Sequence, residues 1–207
     1  QQSGNVRMVP DTDPYAPNTF VGSFRMEMHI FEKGTESAHS PMDMLIHSSA
    51  EKTSMETRTP GVKEQMRILI DQKEKWQYVL MDDSKGSRMA MKTRKMKVVS
   101  TADEHVSSPD VQVTDETKTI DGRLCKKLIA KSDDGTWTGW MAQDIGVPFH
   151  SFMRDMQQNG QGTHSGAIAG IHGFPLEYEW LSADGNERVQ CHIKDLKLGA
   201  VDEKVFS

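Results

Sequence analysis

The sequence predicts a mainly β protein (α+β) built on one curved antiparallel sheet with a single greasy, methionine-rich face. Three observations carry this: apolar and polar residues alternate with period two, short polar breaks separate the alternating runs, and one later stretch has the spacing of an amphipathic helix. Between Phe20 and Phe31, the side chains of Phe20, Phe24, Met26, Met28 and Ile30 fall on one side of a strand, with Arg25, Glu27 and His29 on the other. The alternation returns at Met42, Met44 and Ile46, at Met66, Ile68 and Ile70, at Trp76, Tyr78 and Leu80, and at Met89 and Met91. Such a face must be covered by helices, a second sheet or a ligand, because exposed apolar area costs about 25 cal/mol per Å² relative to burial.

Residues 1–19 hold Pro10, Pro14 and Pro17 among Asp and Asn without periodicity, which predicts a flexible N-terminal arm before a single domain at 20–207. Strands are expected at 20–30, 42–47, 52–57, 65–71, 75–81 and 87–92, linked as hairpins through Thr59-Pro60-Gly61, Asp71-Gln72-Lys73 and the polar break at 82–86. Residues 95–109 lose periodicity and read as a long connection. Strand character resumes at 111–113, Asp121-Gly122 marks a tight turn into a strand at 123–129, and a hairpin partner follows at 136–142. Phe149, Phe152, Met153 and Met156 share one helical face, a short helix expected to cap the sheet. Gly160, Gly162, Gly166, Gly170 and Gly173 then read as a flap or connector, and strands at 175–181 and 187–196 flank the turn Ser182-Ala183-Asp184-Gly185-Asn186.

At 207 residues with 25 basic and 30 acidic side chains, the net charge of −5 gives no general attraction for nucleic acid. No apolar run approaches the roughly 20 residues that span a bilayer as a helix. Gln1, with no basic-then-apolar leader, reads as the start of a mature exported chain or as an artificial boundary. Cys125 and Cys191 both lie in expected strands, where two small buried hydrophobes are the default and a disulfide is the other reading.

Three Met-x-Met pairs, Met26/Met28, Met42/Met44 and Met89/Met91, each place two thioethers on one strand face. A pliable apolar lining is the default, since unbranched Met fills irregular space. The sharper reading is a Cu(I) site formed by those six residues, because thioether sulfur suits a soft ion. The eight histidines lack the spacing of a zinc protease, and His164 and His172 flank no Gly-x-Ser-x-Gly elbow, so no hydrolytic centre is expected. Lys92, Arg94, Lys95 and Lys97 form a basic cluster that reads as a solvated strand end or as a contact with anionic lipid headgroups. The four tryptophans, Trp76, Trp137, Trp140 and Trp180, are expected in the core or lining a cavity.

Several segments together resemble a secreted Gram-negative family of unknown function grouped with the LolA and LppX lipoprotein carriers. They are the opening strand at 20–30, Arg67-Ile68-Leu69-Ile70-Asp71, the run from Ile120 to Lys127, the segment from Trp140 to Pro148, Gly173-Phe174-Pro175-Leu176 and the closing Val201-Asp202-Glu203-Lys204-Val205-Phe206. The resemblance covers about residues 15–206. It implies a strongly curved half-barrel sheet with a few short helices in its concave mouth and an apolar cavity between. The expected function is therefore a periplasmic or outer-membrane-associated carrier without catalysis or cofactor, holding a lipid, an acyl chain or a lipid-modified protein. The expected cavity wall is Met26, Met28, Met44, Ile68, Trp76, Met89 and Met91, closed by Phe152 and Met156, with transient contact to a membrane surface. The alternatives are Cu(I) handling and a structural adaptor whose apolar face is filled by its own helices.

Overall fold

The structure, a computed structural model, describes residues 6–82, 85–100, 110–147 and 173–207. Antiparallel strands dominate them. In chain order these are β1 (Val6–Pro10), β2 (Gly22–Glu32), β3 (Thr35–Glu36), β4 (Met42–Ser48), β5 (Lys52–Arg58), β6 (Gln65–Asp71), β7 (Trp76–Asp82), β8 (Arg88–Arg94), β9 (Met96–Ser100), β10 (Asp110–Ile120), β11 (Arg123–Ser132), β12 (Gly135–Ala142), β13 (Phe174–Ser182) and β14 (Glu187–Leu198). Twelve of them form one sheet in the order β10-β11-β12-β13-β14-β2-β4-β5-β6-β7-β8, with the short β3 paired to β2. The sheet is open, so β10 and β8 are its edges. All neighbours but one pair are linked by the chain as meanders; the exception is β14, which returns to lie beside β2 and joins the two halves.

The turn chemistry explains the hairpins. Asp121 and Gly122 have φ of 47° and 75°, the left-handed pair that a two-residue hairpin demands, and they join β10 to β11. At the last hairpin the Asp184 carboxylate accepts from the Ser182 hydroxyl and from the amide and side chain of Asn186, and these bonds hold its pKa down at about 2. Register shifts interrupt the ladders at Lys194/Lys197, Trp140/Met141 and Val113/Thr117. Bulges of this kind bend strands and increase twist, and Pro175, which cannot donate to the ladder, sits at one of them.

No α-helix occurs among the described residues; the only helical turn there is the 3₁₀ segment Glu203–Phe206. The "few short helices" expected over the sheet therefore have no counterpart there, and the cap expected from Phe149 to Met156 lies outside the described residues, as does nearly all of the Gly-rich stretch. Two other expectations change. The N-terminal arm supplies β1, which pairs with β9 in a separate two-stranded sheet, and β9 occupies residues read as a loose connection. Neither strand shows its partner in local sequence, because they are separated by most of the first meander. Cys125 and Cys191 are both free and buried, on strands with two others between them.

Asp11 anchors the arm. Its carboxylate accepts from Lys95 Nζ at 2.9 Å, from Lys75 Nζ at 3.1 Å and from the Asp13 amide at 3.0 Å, while its own amide donates to the Lys95 carbonyl at 2.8 Å. Burial pushes the carboxyl pKa up, but the hydrogen bonds from Lys95, the Asp13 amide and Lys75 outweigh it and hold it at about 2. A carboxylate depressed in this way stabilises the fold above its unfolded pKa near 4 and loses that contribution as pH falls towards 2. Asp11→Asn is expected to cost about 2 kcal/mol at neutral pH and to flatten the stability loss between pH 4 and 2, read from urea midpoints across that range.

The core fills the half of the sheet from β11 to β4. Phe20, Phe24, Met26, Ile46, Cys125, Trp137, Phe174, Leu176 and Ile193 are among its buried members. Phe24 on β2 and Phe174 on β13 are two strands apart, where flat backbones lie about 9.5 Å from each other. Their ring centroids are nevertheless 5.5 Å apart, and Tyr178 Oη approaches Met26 Sδ to 4.0 Å across the same two-strand gap. The inner side chains converge, as on the concave side of a curved sheet.

Candidate functional site

From Gly22 to Met28 on β2 and across β4 to β8, the registers sort every charge to one side. Residues directly opposite each other in an antiparallel ladder share a face. One row runs Met26, Met44, Thr57, Met66, Met81, Met89, and the next runs Phe24, Ile46, Met55, Ile68, Val79, Met91. Met28 and Met42 pair above the first row, while Ser48, Thr53, Ile70, Gln77 and Thr93 form a third. None of the residues in these rows is charged; Glu32, at the far end of β2 and paired with Glu187, is the charge that alternation puts on this side. The outer face carries Arg25 bound to Asp43 in a two-pronged pair at 2.9 and 2.8 Å, and Glu27 accepting from Lys194 at 2.7 Å. It also carries His29 against Glu36 at 2.6 Å.

Exposure along the methionine row rises from 0% at Met26 to 58% at Met89, with Met91 beside it at 50%. The inner face is thus packed solid at the β2 end and open to solvent at the β8 edge. Of the expected wall residues, Met26, Met28, Met44, Ile68, Met89 and Met91 share this face. Trp76 does not. The loop at 72–75 pairs Asp71 with Trp76, so Trp76, Tyr78 and Leu80 point outward and Val79 and Met81 point inward. Phe152 and Met156 lie outside the described residues. Met55 and Met81 join the face although alternation within single strands did not single them out, and Met66, which it did, lies opposite Met81.

The six Met-x-Met residues also share the face. Met26 opposes Met44 and Met28 opposes Met42, which sets four thioethers at the corners of one cross-strand rectangle, while Met89 and Met91 lie four strands further on. Among the described residues no group of three His, Cys, Asp or Glu is placed to hold a metal ion.

Trp137 and Trp180 are core, as expected, while Trp140 faces outward with Lys118 and Lys127 at 5.7 and 5.9 Å from its ring. Trp137 stacks on Tyr178 with centroids 5.6 Å apart, and its indole Nε1 is buried without a hydrogen-bond partner among the described residues. Burial raises the Cys191 thiol to about 12 and pushes the Tyr178 hydroxyl well up, so neither ionises near neutrality. On the outer face, burial first and the nearby Arg67 second lower the His47 pKa. Arg67 donates to Ser54 Oγ at 3.0 Å and to the carbonyls of Val205 and Ser207, which straps the C-terminal turn there with Phe206 buried.

These features define an open antiparallel sheet whose inner rows from β2 to β8 are free of charge and whose outer side is salt-bridged. The chain belongs to the family described as domain of unknown function DUF4412, whose model matches residues 20–207. No curated protein sequence matches it. Among solved structures it is similar to PNGF-II, at 13% identity and a TM-score of 0.37 over 90% of this chain, which spans 30% of that protein's length. It is also similar to lipoprotein LppX of Mycobacterium tuberculosis, at 11% identity and a TM-score of 0.33 over 88% of this chain and 89% of the other. A putative outer membrane lipoprotein-sorting protein domain from Vibrio parahaemolyticus matches at 8% identity and a TM-score of 0.27 over 92% and 90%. Among the described residues no helix is long and apolar enough to cross a membrane.

Proposed function

We propose that the concave face binds a hydrophobic ligand, an acyl chain or a lipid-modified segment, and performs no chemistry on it. The observation that carries this reading is the absence of charge from the inner rows that run from residues 22–28 of β2 across β4 to β8, together with a methionine row that passes from full burial to 58% exposure. Thioether side chains adapt to guests of irregular shape at little cost. About ten buried methylenes at about 0.8 kcal/mol each supply roughly 8 kcal/mol before association costs, so a longer chain reaches micromolar affinity. Placement in the envelope of an exporting cell belongs to the same proposal and rests on the sequence resemblance.

The test is titration with a fluorescent long-chain fatty acid, alongside native mass spectrometry of gently purified protein. Saturable binding at about micromolar concentration is expected, weakened at least tenfold by Met44→Lys or Met66→Lys and unchanged by Leu124→Lys at an exposed position. Absence of binding by the folded wild type would favour the adaptor reading. The rectangle of Met26, Met28, Met42 and Met44 favours a second reading, Cu(I) binding by thioethers alone. Anaerobic Cu(I) competition on the same preparation separates the two: near-stoichiometric copper lost in Met28→Leu/Met42→Leu supports the metal site.

A further inference from the structure

The open edge of the sheet is chemically unlike the rest of the surface. Strand β8 reads Arg-Met-Ala-Met-Lys-Thr-Arg, is exposed at every position and carries three cations with no acid. Its inner side presents Met89 and Met91, half exposed or more, and its outer side presents Arg88, Lys92 and Arg94. Arg94 stacks over the Trp76 ring at 3.9 Å, and Lys92 Nζ lies 4.2 Å from the same ring and 5.3 Å from that of Tyr78.

The basic cluster visible in the sequence divides here. Lys95 is buried against Asp11 and Lys97 is bound to Asp13, while Lys92 and Arg94 have no carboxylate partner among the described residues. Among the described residues Arg88 has only the exposed Asp82, at 3.7 Å. The opposite edge, β10, has the reverse character, with Asp110, Asp115 and Glu116 against Lys118.

We propose that the β8 edge is a docking site for anionic lipid bilayers. Lys92 and Arg94, held by Trp76 and Tyr78, meet headgroup phosphates, while Met89 and Met91 dip into the acyl boundary on the other side of the strand. Amphipathic aromatic rings beside cations suit the headgroup level, where one end of a side chain is apolar and the other wet. The charge is local, since the whole chain is acidic at −5, so attraction is confined to this edge and screened by salt. The proposal goes beyond ligand binding in the concave face and does not need it.

Co-sedimentation with phosphatidylcholine vesicles, with and without about 30% phosphatidylglycerol, tests it. Binding to the anionic vesicles alone is expected, falling about thirtyfold or more in Lys92→Ser/Arg94→Ser and about tenfold in Met89→Ser/Met91→Ser. All four positions are exposed, so unchanged denaturation midpoints in both variants show that the fold is intact, and unchanged fatty-acid titration in Lys92→Ser/Arg94→Ser, whose side chains lie on the outer face, shows that the concave face is intact. Equal binding to neutral vesicles, no binding to either, or binding unaffected by the double substitutions would overturn it. So would concentration-dependent self-association abolished by the same substitutions, which would assign the edge to a second copy of the chain through its acidic β10. Vesicle binding with no fatty-acid uptake would sink the ligand reading and leave this one standing.

Discussion

Gly139→Val is expected to lower stability by about 3 kcal/mol and the Tm by about 6 to 12 °C. A Cβ at position 139 would lie 2.0 Å from Trp137 Cη2, 2.5 Å from Cζ3 and 2.8 Å from Cζ2, because the indole lies flat across the glycine. The ring cannot swing away cheaply, since it is 1% exposed and stacked on Tyr178, whose hydroxyl packs on Met26. Intrinsic strand propensity points the other way, as Val is a better strand former than Gly. Packing and propensity therefore predict opposite signs, and urea denaturation with tryptophan emission decides between them. Gly139→Ala should show the same sign with a smaller loss. A valine variant as stable as the wild type would mean that the indole does not cover this backbone.

What the sequence made legible was local. Hairpins such as Asp121-Gly122 and Ser182 to Asn186 are encoded within a few residues by turn chemistry, and the strands they join appear within two or three residues of their expected bounds, except that β10, expected at 111–113, runs on to Ile120. Alternation likewise placed Met26, Met28, Met44, Ile68, Met89 and Met91 on what proves to be one face. Failures came where long-range pairing decides. Strand β7 is apolar on both sides, Trp76, Tyr78 and Leu80 against Val79 and Met81, so period two cannot say which set faces inward. The pairing of β1 with β9 depends on residues about 90 positions apart, roughly the span of the first meander. The basic cluster looked uniform until Asp11 and Asp13 arrived on that same arm to neutralise half of it.

The two faces also divide the energetics. Outer pairs such as Arg25 with Asp43 are partly exposed and contribute little individually, which leaves register and stability to the apolar inner rows. Burial is concentrated towards β11 to β4 and fades towards β8, so the fold is anchored at one end and its methionine surface is presented at the other. A guest entering at the exposed edge would meet progressively tighter packing as it moved towards Met26.

Phe24→Ala probes the closed end of that gradient, with an expected loss of about 3 to 5 kcal/mol. Phe24 is 1% exposed and makes edge-on contacts with Phe20 at 5.3 Å and Phe174 at 5.5 Å, while those two rings stack at 5.6 Å. Removing the central ring leaves an apolar void next to Met26 that rigid neighbours on three strands cannot close. Voids of this kind stay dry and accept apolar guests. Saturating fatty acid should therefore raise the Tm of Phe24→Ala by more than it raises that of the wild type, because a ligand stabilises in proportion to its affinity for the folded state. Phe24→Leu, which keeps most of the volume, should lose less than about 1.5 kcal/mol and respond to fatty acid as the wild type does. Equal thermal shifts in the alanine variant and the wild type would separate the aromatic core from the binding surface, and confine any guest to the open methionine rows.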